Sequence, residues 1–225
     1  MSPSLLTIVF VAASAAAAFA QQPTIVQPGA PGTPSRSITA AEARDLSKVG
    51  ATDADVKFMQ GMIHHHAQAV EMVELLKTRT QSSDMKKLGQ RIELSQVDEI
   101  KMMRHWLEAH GQDAPDPLAH AGNAKDMAGM SMAGMNGGSV THMMPGMLTE
   151  EQMRELAAAS GKEFDRLFLK GMIRHHGGAL TMVKDLFATA GAAQDGDIFA
   201  FASDVDADQR MEIDRMSRML EELGK

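Results

Sequence analysis

Two stretches of the sequence place adjacent histidines three and four residues after a methionine. The first, FMQGMIHHHAQAVEMV, runs from 58 to 73, and the second, FLKGMIRHHGGALTMV, runs from 168 to 183. Spacings of three and four bring side chains to one face of a helix, as chelation requires. Imidazole and thioether together suit soft and intermediate metal ions such as Cu(I). Two copies of the pattern indicate a metal site more strongly than one copy would.

The adjacent histidines of each copy occupy positions that apolar residues would otherwise fill. His65 and His175 lie in the middle of the apolar stripe of their predicted helices, and His66 and His176 follow directly. A buried histidine must find a hydrogen-bond partner or bind a ligand, so both a core histidine and a metal ligand fit this pattern. The matching pairs in two copies favour metal. His64 falls on the polar side of its helix, where a surface position explains it.

A second helical stretch follows each histidine helix and carries glutamine and glutamate on its apolar side. With a turn near residue 81, the first hairpin places His65 level with Glu99 and Met62 level with Met103. The corresponding pairs of the second half are His175 with Glu212 and Met172 with Met216. A glutamate that accepts one imidazole N–H leaves the other nitrogen for metal, whereas the alternative is a structural pair without metal. The side chains predicted to support the histidines in this way are Gln96, Glu99, Gln209 and Glu212.

The two copies belong to a duplicated helical hairpin. Apolar residues recur at intervals of three and four in all four long segments, and no segment alternates with a period of two. Capping-box patterns at Thr39 and Thr149 predict a short helix before each copy, over about 40–48 and 150–160. One hairpin alone would expose its apolar face, so the two hairpins must pack together. The sequence therefore predicts an all-α fold, an antiparallel four-helix bundle with short extra helices.

A methionine-rich stretch separates the two repeats. Between 127 and 147, seven of 21 residues are methionine, although methionine is costly to leave in water and oxidises readily. One interpretation is a flexible connector of biased composition, and the other is an accessory site for copper or silver. The accessory ligands would be Met127, Met130, Met132, Met135, His142, Met143, Met144 and Met147.

The first residues of the chain are typical of an export signal. An unbroken run of apolar and small residues from Leu5 ends in Ala18-Phe19-Ala20, the pattern of a signal-peptidase site. The run has sixteen residues, whereas a membrane helix needs about 20. We expect cleavage near Ala20 and a periplasmic or secreted protein without membrane insertion, with an uncleaved anchor as the alternative.

The predicted organisation has five parts. The export signal covers 1–20 and a flexible leader covers 21–38. The helical repeats cover 39–110 and 149–225 and pack as one domain, and a Met-rich flexible linker over 111–148 joins them.

The composition excludes several classes of function. The chain has no cysteine, so disulfides and thiolate ligands are absent, and its 20 methionines exceed its 17 leucines. A net charge of −7 without a basic stripe argues against nucleic acid and anionic membrane surfaces as partners.

The paired pattern F-x-x-G-M-I-x-H-H-x-x-A-x-x-M, followed by Q-x-x-E-I-x-x-M, resembles the CopM-like family of bacterial periplasmic copper-binding proteins. That family has a ferritin-like helical domain catalogued as a domain of unknown function. The resemblance covers about 40–223 and implies metal at Met62, His65, His66, Met172, His175 and His176. The neighbouring methionines that would assist are Met59, Met72, Met103, Met182 and Met216. The chain departs from the family pattern at Ala67-Gln68, where small residues are expected, and at His64.

The pattern and the resemblance favour an exported copper- and silver-binding protein of metal resistance or homeostasis. Cu(I) is the expected ion and Ag(I) the second candidate, with other periplasmic copper-handling proteins as candidate partners. One alternative is a di-iron or di-manganese oxidase, which would need Glu-x-x-His pairs that the chain lacks. The other alternative is a metal-free helical interaction module, in which the His–Glu pairs only organise the core.

Overall fold

The computed structural model describes residues 25–27, 35–44, 50–117 and 144–224. The expected export signal and cleavage site, most of the Met-rich linker, and the candidate ligands Met127, Met130, Met132, Met135, His142 and Met143 lie outside these residues.

The described residues of the larger unit, 50–117 and 144–224, form a compact set of helices. The short helix α4 covers Glu150–Ala158, and the long helices are α2 (Asp53–Arg79), α3 (Ser83–Ala109), α5 (Gly161–Ala188) and α6 (Gly196–Leu223). Thr52 and Asp55 close a capping box at the start of α2, and Thr149 and Gln152 do the same for α4. These reciprocal bonds satisfy backbone N–H groups that a helix start leaves unpaired.

The long helices pair as two hairpins. Helix α2 packs against α3, α5 packs against α6, and α2 also packs against α5. The first turn is short, between Arg79 and Ser83, and the second connection runs from Ala188 to Gly196. The predicted all-α bundle of two helical hairpins is therefore confirmed. In the described part of the chain, no helix is long and apolar enough to cross a membrane.

The apolar core consists of two clusters. One cluster combines Phe58, Met62 and Met103 of the first half with Leu186 and Phe201 of the second. The other cluster combines residues nearer the first hairpin turn, such as Leu76 and Leu88, with Phe164 and Phe168 from the start of α5. The first cluster joins the start of α2 to the end of α5, and the second joins the end of α2 to the start of α5. Helices α2 and α5 therefore run antiparallel.

The N-terminal unit, within residues 1–48, contains a small hairpin that the sequence did not predict. Strands β1 (Ile25–Gln27) and β2 (Arg36–Ile38) pair antiparallel, with Ile25 opposite Ile38, and helix α1 (Ala40–Arg44) follows. The leader was expected to lack regular structure because Pro and Gly dominate its composition. Two runs of only three residues, each with a β-branched isoleucine, are too short to give a visible alternating pattern.

Candidate metal centre

A layer of polar side chains separates the two apolar clusters along every long helix. His65 and His66 lie on α2 between Ile63 of one cluster and Ala69 of the other. The same interruption falls at His175 and His176 of α5, Gln96 and Glu99 of α3, and Gln209 and Glu212 of α6. Four helices therefore contribute histidine, glutamine and glutamate to one level of the bundle, which we call the polar layer.

Each half of the polar layer contains one histidine–glutamate pair. His66 Nε2 lies 2.5 Å from Glu99 Oε2, and His176 Nε2 lies 2.6 Å from Glu212 Oε2. Both imidazoles are fully buried, and both glutamates are only slightly exposed. Ser95 Oγ donates to the second oxygen of Glu99 at 2.8 Å, which fixes that carboxylate.

The predicted pairing of His65 with Glu99 and of His175 with Glu212 is therefore wrong by one residue in each half. Counting from the turn gives the height of a residue along a hairpin, and adjacent residues differ by only 1.5 Å in height. The same adjacent residues differ by about 100° around the helix axis, and that angle selects the neighbouring helix. His66 faces the partner helix of its own hairpin, whereas His65 faces the other hairpin.

His65 and His175 form the contact between the two hairpins. Their ring centroids are 3.8 Å apart, and His175 Nε2 donates to the backbone oxygen of His65 at 2.9 Å. His65 Nε2 donates to the backbone oxygen of Pro145, also at 2.9 Å. Burial, followed by the nearby His66, lowers the pKa of His65 to about 3. Burial, followed by the nearby His65, lowers the pKa of His175 well below its ordinary value.

The hydrogen bonds select one tautomer for the histidines of the polar layer. Carbonyl and carboxylate oxygens accept, so Nε2 carries the proton in each of the four rings and Nδ1 of a neutral ring keeps its lone pair. Among the described residues, the buried Nδ1 atoms of His65, His66 and His176 have no hydrogen-bond partner. Buried polar atoms are usually paired, so three such nitrogens in one layer call for an explanation.

The two glutamines of the polar layer have the same property. Gln96 and Gln209 are almost fully buried, and within the described part of the chain their Oε1 atoms have no hydrogen-bond donor. The unpaired atoms of the layer are thus electron-pair donors: imidazole nitrogens and amide oxygens. Such an arrangement favours a cation.

The candidate methionines lie on both sides of the polar layer. Met59, Met62 and Met103 belong to one apolar cluster, whereas Met72, Met172 and Met216 belong to the other; all six are fully buried. Met182 is partly buried and packs against the first cluster. The predicted partners Met62 and Met103 therefore share a cluster, and so do Met172 and Met216.

His64 was expected on the surface, and this prediction is wrong. Its side chain is only 6% exposed. Helical periodicity placed it on a polar face together with Gln68, but that face is covered by the end of the linker. Gln68 bonds Leu148 in both directions: its Oε1 accepts from Leu148 N at 2.7 Å, and its Nε2 donates to Leu148 O at 2.9 Å.

The covering segment, residues 144–148, is called the strap here and was not predicted. The whole region 111–148 was expected to be a flexible linker, but Pro145 and Gly146 lie directly on the backbone of α5 at Gly178. A Cβ at Gly178 would come within 1.9 Å of the Pro145 oxygen, so only glycine fits there. The signals were present in the sequence: Pro-Gly within the strap, glycine at 178, and glutamine in place of a small residue at 68.

The donor set of the polar layer fits a metal bound by mixed ligands. In the described residues, no three His, Asp or Glu side chains lie close enough together to hold one ion. Unpaired imidazole nitrogens with buried thioether sulfurs nearby along the helix therefore remain as the candidate ligands. These are soft and intermediate donors.

Two antiparallel helical hairpins with paired, buried histidines define the class of this protein. It is a small all-α domain with a candidate metal centre. The model of the family described as Domain of unknown function (DUF305) matches residues 55–220, and the chain belongs to this family. The match spans both hairpins and the complete polar layer.

Solved structures show the same fold. A DUF305 protein from Streptomyces coelicolor, described as a candidate secreted protein, is 28% identical with a TM-score of 0.61, covering 76% of this chain and 94% of that one. A DUF305 fragment from Deinococcus radiodurans is 27% identical with a TM-score of 0.60, covering 76% and 98%. CopM in its Cu(II)-bound form is 25% identical with a TM-score of 0.55, covering 75% and 96%. No curated protein matches the chain.

Proposed function

We propose that the protein is an exported copper- and silver-binding protein that holds Cu(I) through the histidines of the polar layer and the methionines beside them. Its role would be metal resistance or homeostasis in the periplasm. It would act by binding and not by catalysis. Metal ions are its primary ligands, and other periplasmic copper-handling proteins are its candidate partners.

The observation that carries this proposal is the unpaired Nδ1 of His66 and of His176. Each ring is fully buried, and its other nitrogen is held by a glutamate at 2.5 or 2.6 Å. A carboxylate that accepts one imidazole N–H orients the ring and makes the other nitrogen a better ligand. Both halves repeat this arrangement, so one accidental unpaired atom does not explain it.

The chemistry of the neighbouring donors supports Cu(I) and Ag(I) over harder ions. Met62 precedes His66 by four residues, and Met172 precedes His176 by four, so each thioether lies one helical turn from an imidazole. Thioether sulfur binds Cu(I) well and binds Mg²⁺, Ca²⁺ or Mn²⁺ poorly. The chain has no thiol, so oxidation to disulfides would not disable these sites in an oxidising compartment.

The relatives support the same proposal. CopM has been solved in Cu(II)-bound, Cu(I)-bound and silver-bound forms. The description of the Streptomyces coelicolor relative as a candidate secreted protein agrees with an export signal over 1–20 of this chain. An uncleaved N-terminal anchor would give the same bundle a fixed place at the membrane surface.

Two other functions make different demands on the bundle. A di-iron or di-manganese oxidase uses several inward carboxylates with Glu-x-x-His pairs, whereas Glu99 and Glu212 are both engaged with histidine. A metal-free interaction module would need its buried polar atoms to be paired, and the unpaired Nδ1 atoms of the described polar layer argue against it.

Thermal unfolding with and without Ag(I) tests the proposal. A ligand that binds only the folded state at a hundred times its Kd stabilises it by about 2.7 kcal/mol, so the melting temperature should rise. The matched control is the His66→Gln/His176→Gln variant, which should lose most of the rise. Equal melting temperatures with and without metal in the wild type would support the interaction module instead.

A further inference from the structure

The strap is attached to both histidine helices. Gln68 of α2 holds Leu148 by two hydrogen bonds, and His65 of α2 donates to the Pro145 oxygen at 2.9 Å. From α5, Arg174 donates to the Met147 oxygen at 3.1 Å. These hydrogen bonds fix the strap, and with it Met144 and Leu148 at its two ends, against both α2 and α5.

These two ends lie at equivalent places of the internal repeat. Gly61 of α2 corresponds to Gly171 of α5, because each glycine lies four residues before the first histidine of the equivalent pairs, His65 or His175. A Cβ at Gly61 would lie 3.5 Å from Met144 Sδ and 3.4 Å from Met182 Cε. A Cβ at Gly171 would lie 3.2 Å from Leu148 and 3.2 Å from Met72 Cε. Met72 and Met182 are likewise equivalent residues of the two repeats.

The two equivalent places therefore differ in one side chain. At Gly171 the strap supplies the leucine Leu148, and the repeat methionine Met72 is fully buried. At Gly61 the strap supplies a second thioether, Met144, and both Met144 and Met182 remain partly exposed. At Gly171 the buried Leu148 covers the place, whereas at Gly61 two partly exposed methionines lie over it.

We propose that Met144 and Met182 form a solvent-accessible thioether site for a soft monovalent ion, Cu(I) or Ag(I), over Gly61 and in the first of the two equivalent places only. This site rests on the proposed function for the identity of its ion. It assigns Met182 to Met144 and away from the histidines, whose thioethers in the proposed function are Met62 and Met172. Both methionine side chains come within 3.5 Å of the position that a Cβ at Gly61 would occupy. The strap gives the otherwise duplicated bundle one accessible end for soft metal.

The test uses the full chain with ¹³C-methyl-labelled methionine, titrated with Ag(I) and followed by residue-resolved NMR. The methyl signals of Met144 and Met182 should shift together at the same Ag(I) ratio, and the signal of Met72 should stay in place. In Met144→Leu, the Met182 signal should stop responding. Leucine and methionine differ little in volume, so this exchange keeps the packing of the strap.

The reverse exchange is the matched gain-of-site variant. Leu148→Met would place a second thioether beside Met72, and the Met72 methyl signal should then respond to Ag(I) as Met182 does in the wild type. If Met182 responds equally in the wild type and in Met144→Leu, the pair is not a site and the inference is overturned.

The outcomes separate this inference from the proposed function. A response of Met62 and Met172 without Met144 and Met182 would overturn the surface site and leave the polar-layer site standing. A response of Met144 and Met182 alone would support the surface site and contradict binding in the polar layer. If none of these signals moves with Ag(I), both proposals fail.

Discussion

The imidazole rings of His65 and His175 lie with their centroids 3.8 Å apart, and His175 donates to the backbone oxygen of His65. The two repeats therefore meet through equivalent residues at the level of the polar layer. Both rings are buried, and each has its Nε2 fixed by a backbone carbonyl. Because burial lowers the pKa of both rings, this contact should make the stability of the metal-free fold depend on pH. The adjacent residues His66 and His176 carry the unpaired nitrogens on which we propose that metal binds.

The stability of the metal-free protein should begin to fall at pH values well above those at which carboxylates titrate. The pKa of His65 falls to about 3 and that of His175 lies well below its ordinary value, whereas both are near 6.5 in the unfolded chain. Below pH 6.5 the unfolded state then binds more protons, so stability falls with pH. Two histidines should cost about 2 kcal/mol of unfolding free energy per pH unit between pH 6 and 5.

Urea unfolding at pH 7.5, 6 and 5, in the presence of a chelator, measures this dependence. The control is the His65→Gln/His175→Gln variant. Its unfolding free energy should be lower than that of the wild type at pH 7.5 but should change much less with pH. An equally steep slope in the wild type and the control would show that other groups cause it.

Removing the carboxylate behind His66 should weaken metal binding without removing a ligand. In Glu99→Leu the ring loses its acceptor for Nε2–H and is free to change tautomer, so Cu(I) affinity should fall about ten- to a hundredfold. A competition titration against a chromophoric chelator gives the affinity, and ¹⁵N NMR of the imidazole gives the tautomer. Glu93→Leu on the same helix, which removes only a surface ion pair with Lys77, is the control and should change neither.

Two neighbouring glycines of α5 should respond in opposite ways to alanine. Gly178→Ala drives its methyl group into the Pro145 oxygen, so the strap must move and the His65–Pro145 hydrogen bond should be lost. At Gly177 no described atom lies within 4 Å of the added methyl, and alanine should stabilise the helix by about 0.5–1 kcal/mol. Urea unfolding together with the Met144 methyl signal compares the two variants; equal effects would contradict the position of the strap.

The hairpin connection after α5 should depend on a side chain at the start of α2. Asp55 Oδ1 accepts from the backbone N–H of Ala193 at 2.7 Å, and its other oxygen closes the capping box with Thr52. Asp55→Ala leaves the buried Ala193 N–H unpaired and should cost about 2–3 kcal/mol of unfolding free energy. Asp53→Ala in the same helical turn is the control and should cost less than about 1 kcal/mol. Thermal or urea unfolding measures both.

Much of the bundle could be predicted because helical periodicity and turn signals are local. The apolar spacing identified the four long helices, and the short turn before Ser83 made the pairing of the first hairpin unambiguous. The same spacing showed that histidine, glutamine and glutamate interrupt the apolar stripes. Their assembly into one layer follows once the two hairpins pack antiparallel.

The contacts that could not be predicted from the sequence depend on the angles between helices and on long-range packing. His66 and not His65 meets Glu99 because one residue turns the side chain about 100° towards another helix. His64 is buried on the helix face where the strap, 80 residues beyond Gln68 in the chain, binds Gln68. Neither fact can be read from spacing within one helix.

The most direct test of the account is an anaerobic Cu(I) titration of the protein against a chromophoric chelator, beside His66→Gln/His176→Gln. The account predicts tight sites in the wild type that the double variant loses, because it places the metal on the unpaired Nδ1 atoms of these rings. The same number of tight sites in the variant, at unchanged affinity, would contradict it and leave the histidines as core architecture.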